Sequence, residues 1–150
     1  MNFPTDIPAS APPSFVLDVS VGASWGIPMR YTVYAHSVQS RLAFGADAIV
    51  ATNWPLDLLD ELLAAVNRGE RTHRRADAVL ANLPTYRIYL DSESPHRAWP
   101  EALDLARTYG ISARDAACLE LCLRRNLPLA TTDAAFAARA SAAGVPIFTP

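Results

Sequence analysis

The sequence predicts an α/β fold with a mainly parallel central sheet of about five strands and helices on both faces. Three observations point there. Short apolar runs recur along the chain, separated by longer stretches of helical period. Glycines stand where several helical stretches should stop, at Gly69, Gly110 and Gly144. Acidic residues stand where strands hand over to helices, at Asp18, Asp57, Asp115 and Asp133.

Phe15-Val16-Leu17 opens a strand over about 15–19, followed by helical segments at about 20–26 and 30–44. A second strand at about 47–51 leads into a helix at about 55–67, with Pro55 suited to its first turn. A basic helix at about 70–82 is closed by Pro84, and Tyr86-Arg87-Ile88-Tyr89-Leu90 alternates weakly as a strand. Helices follow at about 96–109 and 112–126, then a short strand at about 128–131. A helix at about 133–143 and a strand at Val145-Pro146-Ile147-Phe148 complete the pattern.

With 150 residues, 51% of them apolar, the chain suits one core. Residues 1–14 carry Pro4, Pro8, Pro12 and Pro13 among small polar residues, and read as a disordered arm before a domain over 15–150. No run of 18 apolar residues offers a membrane span, and the N-terminus lacks the pattern of a signal peptide. A cytoplasmic protein is expected. Cys118 and Cys122 lie four apart on one predicted helix, as small core residues rather than a disulfide framework.

The net charge of −2 does not invite nucleic acid, but four of the 15 acidic residues are the junction acids. Without them 11 acidic residues face 13 basic ones, all arginine. Arginine suits bidentate phosphate contacts. Arg68, Arg71, His73, Arg74 and Arg75 cluster between two helices, and Arg124 and Arg125 form a smaller pair. These are candidates for a phosphate track or simply solvated helix faces. Trp25, Trp54 and Trp99 read as core or interface residues, and His36, His73 and His96 lack metal-ligand spacing.

Each acid has an ordinary structural explanation. Asp18 could be a turn residue, Asp57 a partner of the helix dipole, Asp115 part of a capping box with Ser112, and Asp133 an N-cap. The predicted topology nevertheless brings all four to the carboxyl ends of the strands, where open α/β sheets bind ligands. Carboxylates gathered there repel one another unless a cation lies between them, and oxygen donors suit Mg²⁺ or Mn²⁺. Ser20 and Thr131 could add hydroxyls. Asp60 and Glu61, three and four residues past Asp57, extend the acidic face.

Four blocks together resemble a PIN-domain ribonuclease, and within that group the VapC-type toxins of toxin–antitoxin pairs. They are Phe15-Val16-Leu17-Asp18-Val19-Ser20-Val21, then Trp54-Pro55-Leu56-Asp57 with Asp60 and Leu62, then Leu105-Ala106-Arg107 through Gly110 to Leu121 around Asp115, then Leu127-Pro128-Leu129-Ala130-Thr131-Thr132-Asp133. The chain departs from the pattern at Asp57, usually glutamate, at Asp60, often asparagine, and at Arg114 and Cys118, where aromatics are common.

The resemblance implies a metal-dependent endoribonuclease. Asp18, Asp57, Asp115 and Asp133 would hold Mg²⁺ or Mn²⁺, supported by Ser20, Thr131 and Asp60, with Arg68, Arg71, Arg74 and Arg75 toward RNA. It also implies a transfer or ribosomal RNA substrate, a homodimer and a small antitoxin protein. For the dimer or antitoxin contact, Tyr31, Tyr34 and Val38 are exposed apolar candidates. The alternative is a PIN-like module that binds RNA or protein with weak or no cleavage, a reading that the shortened Asp57 favours.

Other Mg²⁺-using α/β classes fit less well. Receiver domains and haloacid-dehalogenase-type phosphatases use a lysine, which this chain lacks, and the latter want an aspartate where Ser20 stands. Val19-Ser20-Val21-Gly22 is no dinucleotide-binding turn, and no Walker loop occurs.

Overall fold

The computed structural model describes residues 2–9 and 12–150. Four parallel strands form its sheet: β1 (Phe15–Leu17), β2 (Asp47–Val50), β3 (Arg87–Leu90) and β4 (Leu129–Ala130), in the order β3-β2-β1-β4. A single parallel bridge from Ile147 to Leu129 occupies the fifth position. The expected fifth strand shrinks to that bridge because Pro146 has no N–H to give a ladder. Its carbonyl still accepts from Leu129 N, and Phe148 N donates to Leu129 O.

Among the described residues, seven α-helices accompany the strands: α1 (Val19–Ser24), α2 (Val33–Ala43), α3 (Trp54–Asn67), α4 (His73–Asn82), α5 (Leu103–Tyr109), α6 (Ala113–Arg125) and α7 (Ala134–Ala142). Alternate strand residues face opposite sides. Phe15, Leu17, Ala48 and Val50 join the core beneath α1 to α4. Val16, Ile49 and Leu129 join the core beneath α6 and α7. The sheet is thus buried on both faces, as parallel sheets are. Among the described residues, no helix is long and apolar enough to cross a membrane.

Several expectations are corrected. The helix expected over 96–109 is broken into a 3₁₀ turn at Ser94–Arg97, a π turn at Ala98–Ala102 and α5. Trp99, at φ −149° and ψ 138°, makes the break. It precedes Pro100, which disfavours helical backbone in the residue before it. Val38, expected on an exposed face, is fully buried, and Tyr34 is half-buried with its hydroxyl donating to Phe148 O at 2.9 Å. Of the three surface candidates only Tyr31 is exposed.

Some residues of the stretch expected to form a disordered arm pack on the domain, Ile7 against the core beneath α6 and α7. Phe3 meets the Trp54 ring edge-on, and Pro4 O accepts from Leu90 N at 2.9 Å. β3 is an edge strand, so its outward N–H needs such an acceptor. Residues 1, 10 and 11 of that arm lie outside the described residues.

Candidate active site

The parallel ladder aims the carboxyl ends of β1, β2 and β4 at one rim. Asp18 follows β1 directly, and its side chain is held by two hydroxyls. Ser20 Oγ donates to Asp18 Oδ2 at 2.5 Å, and Thr131 Oγ1 donates to the same oxygen at 2.8 Å. The hydroxyls lie 3.1 Å apart, and Thr132 N donates to Ser20 Oγ at 3.0 Å. The ends of β1 and β4 are therefore tied together through the carboxylate. Asp18 is only 5% exposed, and no cation pairs with it among the described residues. Burial, aided by the negative charge of Asp115, raises its carboxyl above the ordinary range, against the lowering effect of the two hydroxyls.

Asp115 and Asp133 line the same pocket, of about 350 Å³, with Ser20, Thr132, Arg30 and Glu61. The capping alternative for Asp115 is half right. Ser112 Oγ caps α6 by accepting from Asp115 N at 3.1 Å, while the Asp115 carboxylate makes no backbone bond and has Arg114 Nε at 4.0 Å. Asp133 does cap α7, since its Oδ1 accepts from Phe136 N at 2.9 Å. That engages one oxygen.

Asp57 stands apart from this group. It occupies the first turn of α3, accepts from Asn53 Nδ2, and lines an adjoining crevice with Asp18, Trp54 and Arg114. Partial burial raises its carboxyl, with Asp60 and Asp115 adding to the effect and Asn53 and Arg114 opposing it. Asp60 is exposed and acts on Asp57 only through its charge.

Glu61 was legible only as a like-charged neighbour, yet it reaches the pocket that Asp57 misses. It lies one turn further along α3, where a longer side chain overhangs the rim. Its Oε1 takes Arg114 Nη1 at 3.3 Å, and its Oε2 takes Arg30 Nη1 at 3.6 Å. Burial works against the Arg114 charge, but Glu61, Asp115 and Asp57 hold the guanidinium above its usual range. Arg114 thus borders both acidic spaces.

The donor set is all oxygen, and the deepest carboxylate is buried without a cation, which suits a hard divalent ion. The side chains are not a finished cage: among the described residues, no three Asp, Glu, His or Cys groups converge closely enough to hold a metal. The cysteines offer no alternative chemistry. Both are buried and free, and Cys122 and burial push the Cys118 thiol well above its ordinary value.

The expected phosphate track is mostly spent elsewhere. Arg68 pairs with Glu70 at 2.7 Å, Arg124 pairs with Asp91 and Glu120, and Arg125 pairs with Asp91. Arg71 is buried; Arg74 and Arg75 are exposed, as is His73, and neither arginine has an acidic partner among the described residues.

A family model described as PIN domain matches residues 55–142, which include Asp57, Asp115 and Asp133 and exclude Asp18. No curated protein matches the chain. Solved structures do. VapC20 of Mycobacterium tuberculosis, described as a sarcin–ricin loop cleaving toxin, superposes with a TM-score of 0.62 at 18% identity, covering 91% of this chain and 100% of that one. FitAcB from Neisseria gonorrhoeae gives 0.57 at 18% identity, over 91% and 97% of the two chains. PAE2754 from Pyrobaculum aerophilum gives 0.57 at 15% identity, over 85% and 84%. The strand order and flanking helices are therefore a shared fold.

Proposed function

This chain belongs to the PIN domain family, and from that premise we propose that it is a metal-dependent endoribonuclease of the VapC type, the toxin of a toxin–antitoxin pair. The observation that carries the reading is Asp18: a buried carboxylate at a strand end, fixed by two hydroxyls and left without a counter-ion.

Asp18, Asp115 and Asp133, with Asp57 and Glu61 from α3, are the groups that would hold Mg²⁺ or Mn²⁺. Such an ion, when bound, supplies an acidified water and charge stabilisation at the phosphoryl group. The chain's own contribution is placement. Ser20 and Thr131 fix the Asp18 oxygen that accepts their bonds, and neither hydroxyl engages the other oxygen. Asp133 keeps one oxygen free while capping α7. Arg30 and Arg114, already in the pocket wall, can pair with phosphate oxygens on either side of the scissile bond.

A cytoplasmic ribosomal or transfer RNA is the proposed substrate. Because VapC20 is a sarcin–ricin loop cleaving toxin, that stem-loop is the first RNA to test. A small antitoxin protein is the proposed inhibitor. A homodimer is proposed through the exposed Leu56, Leu59, Leu63, Trp99 and Leu103, to be checked by sedimentation.

The test is incubation of purified protein with ribosomal and transfer RNA. Cleavage at discrete sites with Mg²⁺ or Mn²⁺, lost with chelator and in Asp18→Asn, supports the reading. RNA binding with no cleavage by the wild type would move the chain to the non-catalytic alternative, and unchanged cleavage by Asp18→Asn would refute the assignment of the site.

A further inference from the structure

Beyond the acids lies a second cavity, of about 440 Å³, between α1, α2 and α4. Its walls include Trp25, Tyr31 and Tyr86, with the amides of Gln39 and Asn82 and the guanidinium of Arg75. Trp25 and Tyr86 meet edge to face at 5.7 Å. Trp25 Nε1 donates to Ala35 O at 3.1 Å, and Gln39 Nε2 donates to Tyr86 Oη at 3.0 Å, so the rings are held in place.

Beside this cavity lies an unexplained charge. Arg71 is 5% exposed, and none of its three guanidinium nitrogens has a hydrogen-bond partner. It packs on Gly26, a wall residue of the cavity. A Cβ there would fall 1.8 Å from Arg71 Nη2, so the absent side chain is what admits the guanidinium. Arg75 is close enough to repel it. An unpaired buried cation is costly, and here the neighbouring Arg75 charge adds to that cost. An anion is the natural complement of such a pair.

We propose that this cavity binds one nucleotide of a single-stranded RNA, its phosphate paired with Arg75 at the wall and drawn by the buried Arg71 charge behind Gly26, and its base set among Trp25, Tyr31 and Tyr86. Aromatic planes take a base face, and the two amides offer donors and acceptors to its edge. The position agrees with that role. Residues 24–32 separate the two spaces: Ser24, Arg30 and Thr32 face the acidic pocket, while Trp25, Pro28 and Tyr31 face the cavity. A strand cut at the acids can thus place a neighbouring nucleotide across this partition. The inference rests on the nuclease reading only for RNA as the source of the nucleotide.

The test is titration of the intact chain in chelator with adenosine 5′-monophosphate, adenosine, inorganic phosphate and an oligoglutamate peptide, followed by tryptophan fluorescence and calorimetry. The nucleotide should bind more tightly than adenosine or phosphate. Arg71→Met should weaken it roughly tenfold or more, while its melting temperature without ligand equals or exceeds that of the wild type, because the unpaired charge is gone. Gly26→Ala, which keeps every charge but fills the space of the guanidinium, should weaken the nucleotide as well. Arg75→Gln, at an exposed position, covers a folding failure of the other two and should weaken binding in the same direction.

Equal binding of nucleotide by wild type, Arg71→Met and Arg75→Gln would overturn the proposal. So would no nucleotide binding at millimolar concentration, or preference for the acidic peptide. Chelator removes the metal from the titration, so nucleotide binding there, together with no RNA cleavage in the separate assay with Mg²⁺ or Mn²⁺, defeats the nuclease reading alone. Cleavage without nucleotide binding defeats this inference alone.

Discussion

Two buried aspartates end on the same rim of the sheet in opposite circumstances. Asp91 follows β3 and is 1% exposed; Asp18 follows β1 and is 5% exposed. Asp91 is saturated. Arg124 donates at 2.7 and 3.3 Å, Arg125 at 3.3 Å and Ser94 Oγ at 2.7 Å. Burial works against its charge, yet these donors hold its carboxyl below the ordinary range. Asp18 receives only hydroxyls, and its carboxyl is raised. Similar exposure with opposite outcomes separates an acid neutralised by arginines from one that has only hydroxyl partners. Asp91 ties α6 to the end of β3, while Asp18 has no cationic partner among the described residues.

The largest expected effect would break the comparison on its architectural side. Asp91→Ala strips Arg124, whose side chain is 15% exposed, of its closest partner. Losing one member of a buried pair costs about 3–5 kcal/mol where the other is left alone; Arg124 keeps Glu120, so the loss read from urea denaturation should fall toward the lower end of that range. A loss below about 1 kcal/mol, the scale of a surface pair, would reduce Asp91 to a bystander. Next in size, Ser20→Ala and Thr131→Ala each loosen Asp18 and should weaken Mn²⁺ binding about 10-fold or more, with little change in melting temperature. Unchanged Mn²⁺ affinity in both would deny the hydroxyls their orienting role.

The pH dependence sharpens the contrast because the two acids carry opposite signs. The unfolded value for either is about 3.9. Asp91, lowered when folded, contributes stability above that value and loses it as pH falls through the lowered value. Asp18, raised when folded, works the other way: its contribution is present below about 4 and is lost as pH rises through the raised value. In chelator, Asp18→Asn should therefore melt no lower than wild type at pH 7, with a flatter rise in relative stability toward acid. A lower melting temperature at pH 7 would mean that the charge of Asp18 is already compensated. The smallest effect is expected at Asp57. Asp57→Glu restores the methylene that the side chain lacks and should tighten Mn²⁺ binding modestly, read by calorimetry; weaker binding would show that the shorter acid suits this site.

Much of this was legible because the signals are local. Apolar runs gave the strands, and Ser112 and Asp133 marked the starts of α6 and α7, with their caps formed as expected. Asp18 and Asp133 share one pocket because β1 and β4 run parallel, and Asp115 reaches it from the first turn of α6. What stayed hidden depends on side-chain reach and tertiary burial. Trp99-Pro100 carried a break signal that the helical period overrode. Glu61 reaches the pocket from one turn beyond Asp57, a difference that spacing does not reveal. Arg71 reads in sequence as one of a solvated basic cluster and becomes distinctive only through its burial against Gly26.

The comparison comes down to whether Asp18 recruits a divalent ion. Titration of chelator-stripped protein with Mn²⁺, followed by electron paramagnetic resonance, tests that directly. The account predicts saturable binding to wild type and its loss in folded Asp18→Asn. Undiminished binding in that variant, or none to the wild type, would contradict it.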